Sequence, residues 1–114
     1  MENLIGGNTV AQLQTKTTAK NAIGENVALW ATIDTLKGFL DLSSGSARYT
    51  TYNSKITEST HIFLCDYKEL TVDEENARMV IINHIYDVTY IDNPMELNEH
   101  LEIFLKYIGG QNVG

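Results

Sequence analysis

The sequence predicts a mostly β domain, a small antiparallel β-barrel or sandwich with a long polar loop and little helix. Three observations predict it. Val27, Leu29, Ala31 and Ile33 alternate with Ala28, Trp30 and Thr32 at the period of two that a strand requires. Two apolar runs, residues 78–82 and 85–91, flank an Asn-His pair in the manner of a hairpin. Between Leu42 and His61 lie eighteen residues with almost no aliphatic content, too polar to form part of a core. The length of 114 residues leaves room for one domain. Its bounds are set at 9–110, with a flexible arm at 1–8, an inserted loop at 43–60 and a flexible C-terminus at 111–114.

In chain order, residues 1–8 read as a loose arm, because paired Gly6 and Gly7 add backbone freedom that folding would have to remove. Residues 9–19 are rich in Thr and suit a partly exposed strand. Residues 21–26, with Gly24, supply turn chemistry, and the Trp30 segment follows as a second strand. Across residues 36–42 the leucines Leu36, Leu40 and Leu42 alternate with Lys37 and Asp41, and Gly38 suggests a bend or bulge. Residues 61–65, HIFLC, form a short dense apolar run suited to a central strand. Residues 66–77 are polar, and the run Asp73, Glu74, Glu75 reads as a solvated loop. In the hairpin that follows, Asn83 and His84 are the expected corner pair, since Asn tolerates positive φ. Residues 94–108 fit two patterns. Asn93, Pro94, Glu96 and Gly109 would cap a helix, while Leu101, Ile103, Leu105 and Tyr107 alternate as a strand does.

Composition excludes several classes of function. Fifteen acidic and eight basic side chains give a formal net charge of −7. The lysines and arginines are scattered singly, so no basic patch exists to neutralise phosphates, and gripping DNA is not expected. An acidic wall would still let a duplex slide past. Cys65 is the only cysteine and cannot form an internal disulfide. No basic-then-apolar leader opens the sequence, and no apolar run approaches the ~20 residues of a membrane helix, so a soluble cytoplasmic product without a membrane partner is expected.

No set of residues converges on catalysis. Cys65 lies within an apolar run, where a thiol packs as a small hydrophobe with a raised pKa. Glu74 and Glu75 would point to opposite sides of an extended chain. The Gly6-Gly7 and Gly109-Gly110 pairs lack the strand and helix of a phosphate cradle. Of His61, His84 and His100, only His100 has a usefully spaced partner, Glu102, so neither a metal nor a cofactor is expected. Trp30 reads as packing. Contact residues are expected instead in the long loop, where Arg48, Tyr49, Tyr52 and Lys55 are of the types enriched in binding hot spots.

Taken in order, the segments ALWATI, TLKGFLDL, the Ser/Gly/Tyr loop, ESTHIFLCDY, RMVIINHIYDVTYI and DNPMELNEHLEIFLKYIGG resemble the head-closure (head–tail connector, or stopper) family of siphophages over residues 25–110. The resemblance implies a structural virion component and not an enzyme. It implies a small barrel-like sheet, with 94–108 as strand. It also implies a homo-oligomeric, twelve-fold ring beneath the portal and adaptor proteins at the head–tail interface, retaining packaged DNA without sequence-specific contact and receiving a tail-completion protein. A channel-plugging role would fall on Ser43, Ser44, Gly45, Ser46, Arg48, Tyr49, Tyr52, Asn53 and Lys55. A tail-completion protein is the alternative in the same class. An oligonucleotide-binding barrel is a further alternative, disfavoured by the charge.

Overall fold

The computed structural model describes residues 7–42 and 59–109. Six strands make one antiparallel sheet that closes on itself, β1 (Thr9–Lys20), β2 (Asn26–Leu42), β3 (His61–Asp66), β4 (Ala77–Ile81), β5 (His84–Asp92) and β6 (His100–Gly109). The order around the ring is β1-β2-β3-β6-β5-β4, and β4 returns to β1 through Gln12↔Val80, Leu13↔Met79, Gln14↔Arg78 and Thr15↔Ala77.

Alternation decides what goes inside. Ala11 and Leu13 of β1, Phe63 and Cys65 of β3, Met79 and Ile81 of β4, Tyr86 and Val88 of β5, and Leu101, Ile103 and Leu105 of β6 form one buried cluster. Each strand contributes alternate residues, as a closed sheet demands. The short dense run at 61–65 is the central strand expected, held between β2 and β6. Phe104 has the opposite parity yet is also buried, on the outer side beside Tyr90, with ring centroids 6.3 Å apart. The two readings of 94–108 resolve to strand: Pro94–Glu96 is a single 3-10 turn, and β6 runs from His100 to Gly109. Cross-strand pairing with both β3 and β5 overrides the capping signals, which act only on the short turn.

Three local expectations are corrected. The hairpin turns at Ile82 and Asn83, not at Asn83 and His84; both corner residues have positive φ, 48° and 63°, and Ile81 pairs with His84. A two-residue turn of this hand needs positive φ at both corners, so Asn83 takes the second corner and Ile82 is forced into the first. Gly38 is not a bulge: it lies in register with Cys65, where a Cβ would collide with the backbone carbonyl of Leu64. The irregularity sits earlier, where the register jumps from Leu13↔Asp34 to Gln14↔Thr32 and leaves Ile33 unpaired. The acidic run is not wholly solvated either. Glu74 is half-buried, and its carboxylate Oε2 accepts the Ile91 N–H at 2.5 Å, tying the 67–76 connection to β5.

Candidate assembly interface

β1 and β2 pair along their whole lengths, but β4 takes β1 only at 12–15 and β3 takes β2 only at 38–42. Residues 16–20 and 26–32 therefore extend past the closed sheet as a two-stranded arm. At its tip the Asn21 side chain accepts the N–H groups of Ile23 and Glu25, and Gly24 adopts φ 86°. The unpaired Ile33 reverses the parity of β2, so Val27, Leu29 and Ala31 share a face with Thr15, Thr17 and Ala19. That face continues the inner surface of the sheet beyond its rim. It is open: Val27 is 36% and Leu29 is 49% exposed, and Ile33 and the tip residue Ile23 are exposed as well. The alternation read from the sequence is real, but the apolar face it generates covers no part of the core.

The opposite face anchors the arm. Trp30 is half-buried because the Arg78 guanidinium lies 4.3 Å from its ring centroid. Arg78, only 8% exposed, donates from Nε to Gln14 Oε1 at 2.7 Å, and Gln14 donates from Nε2 to Thr32 Oγ1 at 3.1 Å. Burial lowers the Arg78 pKa, and Asp87, opposite it on β5, works against that shift. Beside this anchor an open groove of about 370 Å³ is bordered by Trp30, Glu74, Glu75, Asp87 and Lys106.

The other end of the sheet bears the long insertion. Leu42, the last residue of β2, pairs with His61, the first of β3, so the chain leaves and re-enters at one point. The return is stapled. Ser59 is buried with its hydroxyl 2.6 Å from that of Thr89; Thr60 donates its N–H to the Leu105 carbonyl at 2.8 Å, and its Oγ1 accepts the Tyr107 N–H at 2.8 Å. Close by, His61 meets Tyr86 edge-on at 5.1 Å, and Tyr107 packs on Tyr86 at 5.5 Å and on His84 at 5.7 Å. Burial and the neighbouring Tyr107 raise the Tyr86 pKa, so the Tyr86 hydroxyl stays neutral. Leu42 and Ile82 stand exposed around it.

The residues expected to plug a channel, Ser43, Ser44, Gly45, Ser46, Arg48, Tyr49, Tyr52, Asn53 and Lys55, lie outside the described residues. Only the stems that carry them are seen. Catalytic chemistry finds little footing among the described residues. Burial, with Asp66 and Asp34 adding to it, pushes the Cys65 thiol up to about 12, so it carries no thiolate near neutral pH. His100 and Glu102 do face each other, Nε2 to Oε2 at 3.3 Å, but no group of three His, Cys, Asp or Glu converges there or elsewhere among those residues. No helix among them is long and apolar enough to cross a membrane.

Sequence reasoning missed the arm and its Arg78 anchor. One signal was available: residues opposite Val27, Leu29 and Ala31 on β1 are Ala19, Thr17 and Thr15, too small and polar to build a second core layer.

Among solved structures, the solution structure of protein SF1141 from Shigella flexneri 2a is similar in fold, with a TM-score of 0.66 over 93% of this chain and 96% of that one, at 15% identity. No curated protein matches the chain in sequence. The family model described as phage head completion protein matches residues 7–107. That span takes in β1 to β5, the arm and β6 as far as Tyr107, and the chain belongs to the phage head completion protein family.

Proposed function

We propose that the protein is a head-closure connector subunit, a structural part of the virion rather than an enzyme. It forms a ring, twelve-fold by the family likeness, beneath the portal and adaptor proteins. There it retains packaged DNA and offers the tail-completion protein its docking site. Made in the host cytoplasm, it ends at the head–tail interface. The observation that carries this reading is the pairing of Leu42 with His61, which fixes both ends of residues 43–58 to one point on a rigid sheet. A polar segment hung from a single point can reach into a channel without disturbing the domain that bears it. The net charge of −7 supports a wall that DNA passes without adhering.

The test replaces residues 43–58 by Asn-Gly between Leu42 and Ser59. The variant should fold with an unfolding midpoint at or above that of the parent, because a shorter loop costs less entropy to close. In a complementation assay it should join heads yet leave them leaking DNA. Full infectivity with the variant would overturn the retention role, and binding to isolated tails but never to heads would move the protein to the tail-completion class.

A further inference from the structure

Among the described residues the arm leaves two edges unpaired as well as one face open. Residues 16–20 of β1 and 26–30 of β2 pair with one another, and among the described residues no other strand pairs with either. The two free edges therefore lie at the same height on opposite sides of the arm. Other stretches of the described sheet, 33–37 of β2 and 88–92 of β5, also lack a second partner, but the arm is the longest stretch in which two paired strands both leave their outer edges open. A two-stranded ribbon is marginal alone, and uncovered edges are templates for pairing with another chain.

Direction and charge both indicate which edges meet. In a ring, rotation carries each arm onto the next without inverting it. Because β1 and β2 are antiparallel within one arm, β2 of one copy is also antiparallel to β1 of its neighbour. The series β1-β2-β1-β2 then continues around the ring, and the last free edge meets the first. Residues 16–20 carry Lys16 and Lys20, whereas residues 26–33 carry no charge. An antiparallel match of β1 with β1 would bring these lysines together, which like charges on opposed strands disfavour. A match of β1 with β2 sets them against the neutral strand, as already happens inside the arm, where Lys16 pairs with Trp30 and Lys20 with Asn26.

We propose that the arm is the element that joins copies: the β1 edge at 16–20 of one subunit pairs with the β2 edge at 26–30 of the next, giving a continuous antiparallel band in which the apolar faces of Val27, Leu29 and Ala31 become one surface. The inference rests on the ring reading above and names the contact that closes the ring.

The test uses two single variants, Thr18→Cys and Ala28→Cys, both exposed and opposite each other within one arm. Placing them on separate, differently tagged molecules makes any cross-link intermolecular, and the native Cys65 is buried. Treated with a short bismaleimide on complemented heads, the mixture should give severalfold more cross-linked pair than either variant alone. Equal or greater yield from Ala28→Cys alone would replace the band by a two-fold β2–β2 contact and overturn the proposal. Rings that form by electron microscopy without any arm cross-link would also overturn it and leave the connector reading standing, whereas failure to form rings on heads would remove both. As a second variant, Leu29→Lys should keep the wild-type circular dichroism spectrum, since the side chain covers no core, and lose ring formation; normal rings from it would count against the band.

Discussion

At the scale of single residues, Ile82 stands out as a β-branched side chain at φ 48°, 75% exposed, on the first corner of the hairpin. A left-handed conformation costs a residue with a Cβ about 1–2 kcal/mol, and Ile82 recovers little of this by burial. Ile82→Asn should therefore stabilise the isolated domain by about 1 kcal/mol in a urea melt, because Asn tolerates this corner. If the variant is also impaired in joining heads, the exposed isoleucine has its use at the loop-bearing end. Gly38 makes the opposite point. Its missing Cβ is required by the Leu64 carbonyl of the adjacent strand, a close approach invisible in a sequence that shows only a glycine between Lys37 and Phe39.

Among the elements, the arm depends on a short chain of contacts running Thr32–Gln14–Arg78–Trp30. Removing the guanidinium leaves a buried amide oxygen short of a donor, a cost of about 1–3 kcal/mol, and strips the Trp30 ring of its cation. Arg78→Ala should lower stability by about 2 kcal/mol, and amide exchange should quicken at 16–20 and 26–32 well before it changes in β3 or β6. Uniform acceleration through all strands would mean that Arg78 supports the sheet as a whole and not the arm. The strands themselves were legible from residue periodicity at 27–33, 61–65, 78–82 and 85–91. The arm was not, because alternation reports which residues share a face and says nothing about whether anything lies opposite that face. The extra residue at Ile33, which brings the apolar side of β2 onto the continuation of the inner face beyond the core, leaves no mark in composition. Residues 94–108 were ambiguous for a related reason: leucines spaced for a helix and residues alternating for a strand coexist, and only pairing on both edges decides between them.

Taken whole, the molecule is acidic, and like-charged copies must approach one another to assemble. Raising the salt from about 0.01 to about 0.15 M shortens the screening length from about 30 to about 8 Å. Self-association measured by sedimentation should therefore strengthen over that range, whereas a barrel built to bind nucleic acid would weaken. Mostly β architecture was readable from sequence, but the choice between a closed barrel and a sandwich was not, since closure depends on the β1–β4 pairing between residues more than sixty positions apart. The paired stems at Leu42 and His61 carry a last consequence. Doubling the length of a flexible insertion costs only about 0.6 kcal/mol in closure, and the stapled Ser59 and Thr60 shield β6 from whatever precedes them. Insertion size is thus decoupled from folding, so descendants of one scaffold could fit bores of different calibre by gaining or losing residues at this site alone.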